Sequence, residues 1–346
     1  MGLIEPRDLA AWRRWQESRH RLRRLRHGLH SSSPEPVVLT TYGAEPRLLV
    51  AVDSGSPTSR AALLEPLHHL DVPLALLSPG PPPDIPGLTA VTTMSVVDHL
   101  LPRELRAIKA VTSLGHYMAR GQVAHRWSRD LGVPHFVAQH GALTPFMPPL
   151  PEEARLLAWT GADAEFWKSG RGDVDHDVVG SQLLWQAGSA VETGFPPTST
   201  NDKRDGALTY LGQMHGAELS RSRLVRAAAS FCRGHDATYR PHPSESDKLS
   251  RLAHAGYRRL GIAVEGSTPL AELTGPVVSV FSTGVLEAAA QGRDAWVDFP
   301  RPPTWLGEFW ERYDMHRFGV VPTPAPARPA LAPARRIAQI LTEAVS

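Results

Sequence analysis

The chain has 346 residues, of which 42% are apolar, and this length suits two domains better than one compact core. Its single cysteine, Cys232, excludes an intramolecular disulfide and a cysteine-ligated metal cluster. No apolar run approaches the roughly 20 residues that a membrane-spanning helix needs, and the first residues lack the apolar core of a signal peptide, so we expect a cytoplasmic protein.

The formal net charge is +2, but the first 30 residues hold eight arginines and three acids, so they carry +5 and the remainder −3. Residues 7–30 predict one amphipathic helix. It packs on the first domain, or it lies on the anionic inner face of the plasma membrane with Trp12 and Trp15 at the headgroups. RNA binding through this segment is a weaker alternative, and we expect no nucleic acid partner because the rest of the chain lacks a basic face. Its apolar stripe comprises Ala11, Trp15, Leu22, Leu25 and Leu29.

Between about residues 36 and 185, short apolar runs alternate with helical segments, which is typical of parallel βαβ units. Residues 187–206 lack periodicity and predict a linker, after which the alternation resumes. The expected strands are 47–52, 72–77, 89–93, 107–112, 135–138, 156–159, 178–179, 207–211, 237–239, 262–264, 277–281 and 295–297. The expected helices are 59–70, 116–130, 220–233, 246–260, 269–274, 285–291 and 333–345.

This pattern predicts an α/β protein with two doubly wound, Rossmann-like halves facing a central cleft, where ligands commonly bind. The expected divisions are an N-terminal basic helix (1–33), an N-terminal acceptor domain (34–186), a linker (187–206), a C-terminal nucleotide-donor domain (207–330) and a C-terminal helix (331–346).

Two candidate catalytic residues follow strands of the first half. His140 stands in Gln139-His140-Gly141 directly after an apolar strand, where an imidazole can accept a proton from an attacking hydroxyl near neutral pH. Asp53 ends the first strand of this half and is a second candidate base. An Asx turn that begins the following helix is an equally good interpretation of Asp53.

The strand ends of the second half carry candidate donor-binding residues. Arg240-Pro241-His242-Pro243 follows a short strand; its prolines stiffen the loop that presents His242, and Arg240 can bind phosphate through two hydrogen bonds. Ser282-Thr283-Gly284 opens a helix whose N–H groups suit a phosphate, and Glu287 lies one turn inside. Gly212 ends the first strand of this half and can line the same pocket. Ordinary helix capping is the alternative for the Ser-Thr pair.

Several common nucleotide and metal motifs are absent. The sequence has no P-loop, no dinucleotide-binding glycine fingerprint, no nucleophile elbow and no zinc-ligand spacing. An Asp-x-Asp motif at a strand end is also missing, which disfavours metal-dependent sugar-nucleotide transferases. We therefore expect neither a metal nor another cofactor.

The order of four motifs resembles GT-B glycosyltransferase-like enzymes of bacterial surface polymers, over roughly residues 108–300. The nearest patterns are those of the CDP-glycerol glycerophosphotransferases, the capsular polysialyltransferases and the Kdo transferases. The resemblance implies that His242, Ser282 and Thr283 contact the donor phosphate and that His140 is the base. The motifs are Gln139-His140-Gly141, Asp177-Val178-Val179-Gly180-Ser181, Arg240-Pro241-His242-Pro243 and Ser282-Thr283-Gly284 with Glu287.

The expected function is therefore transfer of a sugar or polyol phosphate from a nucleotide-activated donor to a surface glycan or a lipid-linked acceptor. The resemblance implies a CMP, CDP or UDP conjugate as the donor substrate. One alternative is a sugar-nucleotide 2-epimerase, and another is a non-catalytic GT-B module that docks a membrane or a partner protein.

Overall fold

The computed structural model describes residues 2–19, 37–97, 100–192, 206–266 and 268–346. The chain divides into unit 1, formed by Met1–Leu183 and Pro329–Ser346, and unit 2, formed by Leu184–Arg328. Each unit is built around a largely parallel sheet with helices, so the predicted α/β class is confirmed.

The described residues of unit 1 form eight strands, and most of the helices of this unit lie between them in sequence. The strands are β1 (Val37–Tyr42), β2 (Leu48–Ala51), β3 (Leu74–Ser78), β4 (Ala90–Val96), β5 (Ala110–Ser113), β6 (His135–Ala138), β7 (Arg155–Ala158) and β8 (Asp175–Val178). The helices are α1 (Leu9–Arg19), a helical segment α2 (57–69) with α, π and 3-10 turns, α3 (Ala119–Leu131), α4 (Gly161–Lys168) and α5 (Gln182–Glu192), which crosses the unit boundary.

The sheet of unit 1 has the order β4-β1-β3-β2-β5-β6-β7-β8. The six strands from β3 to β8 in this order pair in parallel, whereas β1 runs antiparallel to both β3 and β4. Strand β1 was not among the predicted strands, and its antiparallel pairing adds an edge to the predicted parallel βαβ units. The parallel strands bring the ends of β2, β5 and β6 to one edge of the sheet.

Successive residues of β2 pack on opposite faces of this sheet, as strand geometry requires. Leu48 and Val50 belong to the core on the side of α2, whereas Leu49 and Ala51 belong to the core that includes Trp127 of α3. Burial on both faces explains why this strand is a continuous apolar run.

The C-terminal segment of the chain returns to unit 1. Helix α10 (Pro333–Val345) buries Ile337, Ile340 and Leu341 in the same core as α2. The helix was predicted within a separate C-terminal segment, and its sequence pattern did not reveal which unit it covers.

The N-terminal helix α1 also packs on unit 1. Trp12 donates its indole N–H to the Phe146 carbonyl at 2.7 Å, and the Trp15 ring stacks on Phe146 with centroids 5.0 Å apart. These contacts support the alternative in which the helix packs on the first domain, and the membrane alternative stays a prediction. Residues 20–30 of the predicted helix lie outside the described residues.

Unit 2 contains a four-stranded parallel sheet with the order β10-β9-β11-β12. The strands are β9 (Thr209–Leu211), β10 (Thr238–Arg240), β11 (Val277–Ser279) and β12 (Ala295–Val297). The helices are α6 (Arg221–His235), α7 (Lys248–Arg259), α8 (Thr283–Ala290) and α9 (Thr304–Arg312).

Several predicted boundaries differ from the structure. Helix α5 extends to Glu192, so the first residues of the predicted linker 187–206 are helical, while 193–205 lie outside the described residues. The expected strand 262–264 makes only one bridge, from Val264 to Tyr239, and the expected helix 269–274 is the short 3-10 turn Leu270–Glu272. Helices α4, α5 and α9 were not predicted.

Candidate functional site

The carboxyl ends of β10, β9 and β11 lie side by side at one edge of the unit 2 sheet. Because all three strands are parallel, the loops that follow them begin at the same edge. The structure therefore brings the predicted residues of all three loops to one strand edge. They are Gly212 after β9, Arg240 and His242 at the end of β10, and Ser282, Thr283, Gly284 and Glu287 after β11.

Gly212 permits a close approach between the β9 and β10 loops. Its backbone N–H donates to the Arg240 carbonyl at 2.8 Å. A Cβ atom at this position would overlap the Tyr239 hydroxyl and lie 2.8 Å from Glu245 Oε1. Glycine is thus required here by the space that two buried polar side chains occupy.

His242 stacks on a second imidazole that the sequence analysis did not include among the site residues. The rings of His215 and His242 lie 3.8 Å apart with planes inclined by 20°. Burial lowers the pKa of His242, and burial followed by the charge of His242 lowers the pKa of His215 to about 4. Both rings are therefore neutral near pH 7. His215 Nδ1 is buried without a hydrogen-bond partner among the described residues.

The His242 ring has a defined tautomer when it is neutral. The Ser244 backbone N–H donates to His242 Nδ1 at 3.1 Å, so Nδ1 is an acceptor and Nε2 carries the proton. A neutral imidazole of this kind can donate through Nε2 to a phosphate oxygen. An anion bound there would also raise its pKa, because opposite charge stabilises the imidazolium form.

Arg240 and Glu287 interact across the same edge, together with Arg293. Burial raises the pKa of the Glu287 carboxyl, and the charges of Arg293 and Arg240 oppose that rise. Burial lowers the pKa of Arg293 to about 10, which still leaves it charged. Arg240 donates to the Thr268 carbonyl at 2.7 Å, while its Nε is buried without a hydrogen-bond partner within the described part of the chain. Two guanidinium groups against one carboxylate leave this cluster with an excess positive charge.

Ser282 caps helix α8, as the alternative interpretation expected. Its Oγ accepts a hydrogen bond from the Gly284 backbone N–H at 3.1 Å. The hydroxyl keeps its proton to donate, so capping and phosphate contact are compatible. Gly284 itself is packed tightly, because a Cβ there would lie 2.8 Å from Leu270 and 2.9 Å from Leu211. Thr283 is half-buried in the first turn of the helix.

Two buried side chains that were not predicted connect these loops. Gln213 Oε1 accepts from the Phe281 backbone N–H at 2.8 Å and from Ser279 Oγ at 3.1 Å, which connects the β9 loop to the β11 loop. In the sequence, Gln213 could have been identified from its position directly after Gly212.

Glu245 connects the β9 loop to the β10 loop. Its fully buried carboxylate accepts from the Met214 backbone N–H at 2.8 Å and from the Tyr239 hydroxyl at 2.9 Å, and it lies 3.1 Å from His254 Nε2. The Glu245 backbone N–H donates to the His242 carbonyl at 2.8 Å. Glu245 therefore holds the loop that carries His242.

In unit 1, His140 lies at the end of β6 beside a fixed glutamine. Gln139 Oε1 accepts from the Trp159 backbone N–H at 2.8 Å, and Gln139 Nε2 donates to Asp163 Oδ2 at 3.0 Å. Burial lowers the pKa of His140 to about 4, and its Nδ1 has no hydrogen-bond partner among the described residues. His140 is thus a neutral imidazole whose Nδ1 is buried and unpartnered among the described residues.

Asp53 caps helix α3. Its two carboxylate oxygens accept from the backbone N–H groups of Arg120 at 2.8 Å and Gly121 at 2.9 Å, and the Arg120 guanidinium lies 3.9 Å away. Both oxygens are therefore engaged in stabilising a helix N-terminus. Its assignment as a base stays a prediction, but this geometry favours a structural function.

No group of three or more histidine, cysteine or acidic side chains is arranged to hold a metal ion among the described residues. No helix in the described ranges combines the length and apolarity needed to cross a bilayer.

No protein-family model matches the chain, and no curated protein sequence matches it. A solved structure of a mutant O-GlcNAc transferase from Thermobaculum terrenum is similar, with a TM-score of 0.42 and 13% identity over 87% of this chain. This chain spans 64% of that protein's length. The beta Kdo 2,7 transferase KpsC from Thermosulfurimonas dismutans has a TM-score of 0.28 and 13% identity, covering 68% of this chain and 84% of its own.

A third similar structure is that of a dipicolinate synthase component from Bacillus halodurans. Its TM-score is 0.21 with 12% identity, covering 88% of this chain and 99% of its own. Two of the three similar proteins are thus described as transferases and one as part of a synthase. Similarities this low do not indicate an activity. The geometry of the strand edges is the basis on which an activity can be proposed.

Proposed function

We propose that the protein is a GT-B glycosyltransferase, or a glycerophosphotransferase, that uses a nucleotide-activated donor bound at the strand edge of unit 2. The observation that carries this proposal is the convergence of the His215–His242 pair, the Arg240 cluster and the N-terminus of α8 at one sheet edge. Neutral donors and guanidinium groups on a rigid frame suit a phosphate or diphosphate.

In this proposal, the acceptor hydroxyl oxygen forms a bond to the donor group while the bond between that group and the nucleotide phosphate oxygen breaks, and the phosphate oxygen keeps the bonding electrons. Arg240, His242 through Nε2, and the α8 N–H groups with Ser282 stabilise the negative charge that develops there. These groups supply the stabilisation without a metal. The acceptor, a cell-surface glycan or lipid-linked molecule, is assigned to unit 1.

His140 is assigned as the base that takes the proton of the acceptor hydroxyl. With a pKa of about 4 it is neutral near pH 7 and therefore able to accept a proton, but it is a weak base until a bound anion raises its pKa.

The first test is thermal unfolding in the presence of CMP, CDP, UDP, GDP and dTDP and their sugar or glycerol conjugates. We expect one base to stabilise the protein, by about 2.7 kcal/mol at a hundredfold excess over its dissociation constant. His242→Ala and Arg240→Ala should each weaken that affinity about 10- to 100-fold, as expected for the loss of a hydrogen bond to a charged group.

Arg226→Ala, which removes an exposed arginine from α6, is the control and should bind like the parent protein. Absence of stabilisation by every nucleotide would contradict the proposal. Conversion of UDP-GlcNAc without an acceptor would instead indicate the 2-epimerase. Nucleotide binding with no transfer to any acceptor preparation would favour the non-catalytic module.

A further inference from the structure

Helix α7 of unit 2 is held firmly along one face. Ser250, His254 and Tyr257 are buried, His254 Nε2 lies 3.1 Å from Glu245, and the Tyr257 hydroxyl donates to the Val225 carbonyl at 3.1 Å. These contacts fix the rotation of the helix about its own axis. The residues on its opposite side are therefore held at the surface of the unit.

The N-terminus of α7 is fixed equally well. Asp247 accepts from the backbone N–H groups of Leu249 at 2.8 Å and Ser250 at 3.0 Å. Arg221 donates to both carboxylate oxygens of Asp247 at 2.9 Å, so this acidic residue beside α7 has its ion pair within unit 2. Asp247 is thus neutralised and does not offset the charge of the helix.

Helix α7 and the residue that caps its C-terminus expose three leucines. Leu249, Leu252 and Leu260 have 49%, 65% and 50% of their surface exposed. Their spacing of three and eight residues places them on one side of the helix, with Gly256 between the last two. Large apolar side chains in a row at this exposure indicate a contact surface.

Four cations accompany these leucines. Lys248, Arg251, Arg258 and Arg259 are exposed, and residues 248–260 contain no acidic residue. None of the four forms an ion pair with any residue that the structure describes. At about 100° per residue, Lys248 and Arg259 lie within about 40° of Leu252 around the helix axis, so apolar and cationic side chains share the outer surface.

We propose that this leucine–cation face of α7 binds the interface of an anionic lipid bilayer. Leucines enter the boundary between headgroups and acyl chains while the flanking cations contact anionic headgroups, which is how interfacial amphipathic helices bind. A nucleic acid or an acidic protein would match the cations but would leave the exposed leucines in water. The lipid surface is the occupant that uses both.

This surface is distinct from the one that the basic N-terminal segment suggested. Trp12 and Trp15 pack on unit 1, and the apolar part of the α7 surface does not include them. The α7 surface also makes no use of the proposed donor chemistry, so its test and that of the nucleotide site succeed or fail separately.

The test is flotation of the full chain with vesicles of phosphatidylglycerol and phosphatidylcholine in equal amounts, compared with phosphatidylcholine alone. We expect binding to the anionic vesicles, and strong loss of binding at about 1 M salt, where the Debye length is about 3 Å. Lys248→Gln with Arg259→Gln should reduce the partition coefficient roughly 25-fold, at about fivefold per cation. Leu249→Gln with Leu252→Gln should also weaken binding, but without changing its salt dependence.

The charge-matched control is Arg226→Gln with Arg233→Gln, which removes two exposed arginines from α6 and should leave vesicle binding unchanged. Circular dichroism shows whether each variant remains folded. Equal loss in the control and α7 variants would overturn the proposal, because the effect would then be one of net charge. Vesicle binding that the leucine variant leaves intact, together with tight binding to a single-stranded oligonucleotide, would overturn it in favour of nucleic acid.

Discussion

At the scale of single residues, the unit 2 site depends on two side chains that do not face a substrate in the proposed chemistry. Gln213 connects the β9 and β11 loops, and Glu245 connects the β9 and β10 loops. Because both are buried and satisfied by several donors, they fix the loops before any ligand arrives. Preorganisation of this kind is what electrostatic stabilisation of a leaving group requires.

Gly212→Ala tests how tightly this frame is packed. The added methyl group would collide with the Tyr239 hydroxyl and the Glu245 carboxylate, so we expect a loss of about 2–3 kcal/mol in the free energy of unfolding, as is typical of overpacking. Urea unfolding measures this change.

Gly234→Ala is the matched control for that substitution. Gly234 lies near the end of helix α6, and a Cβ there would contact nothing within 4 Å. Alanine is the better helix former by about 1 kcal/mol, so we expect this variant to be equally or more stable. If neither substitution lowers the free energy of unfolding, the close approach at Gly212 does not require glycine.

At the scale of elements, the sequence predicted where the strands lie better than it predicted which elements pack against one another. Buried parallel strands such as β2 are continuous apolar runs, and sequence identifies them directly. Strand β1, with Thr40 and Thr41 in Val37–Tyr42, is a mixed run, and its antiparallel pairing depends on contacts with β3 and β4 that no local pattern encodes. The docking of α10 on unit 1 is likewise a property of tertiary packing.

Leu341→Ala tests the contribution of α10 to unit 1. Leu341 is 1% exposed in the core beside α2, so we expect a loss of about 2–5 kcal/mol, the range for a buried leucine truncated to alanine. Leu331→Ala is the control, because that leucine is 39% exposed and precedes the helix. Equilibrium unfolding that shows equal, small effects for both would contradict the packing of α10 as an integral part of the unit.

At the scale of the whole molecule, the site residues that could be predicted from the sequence are reactive or polar residues that follow the end of a strand. His242 and Ser282 were identified that way, because parallel topology places both positions at one edge of the unit 2 sheet, and His140 was identified at a strand end of the unit 1 sheet. His215 and Glu245 also lie in the loops that follow β9 and β10, but that position alone does not distinguish them from neighbouring loop residues. Their importance comes from a ring stack and a buried hydrogen-bond network between loops, which the order of residues does not specify.

Four histidines in the described part of the chain are buried or partly buried and remain neutral at pH 7. Burial lowers the pKa of His116 and His135 to about 3, and of His140 and His215 to about 4. In unit 1, His135 is held in a network, with its Nδ1 3.2 Å from His125 Nδ1 and its Nε2 2.7 Å from Ser113 Oγ. The imidazoles of His116, His125 and His135 lie side by side, and each opposes the protonation of the others.

Acid should therefore destabilise the protein well above the titration range of its carboxyl groups. Unfolded histidines bind protons below about pH 6.5, whereas these folded ones do not until about pH 3–4, so the free energy of unfolding falls as the pH drops below 6.5. Each such histidine contributes up to about 1.4 kcal/mol per pH unit. Urea unfolding between about pH 7.5 and 5 measures the slope. His116→Gln should lower it by about one proton. A slope of zero in the parent protein would show that these imidazoles are not kept neutral by burial.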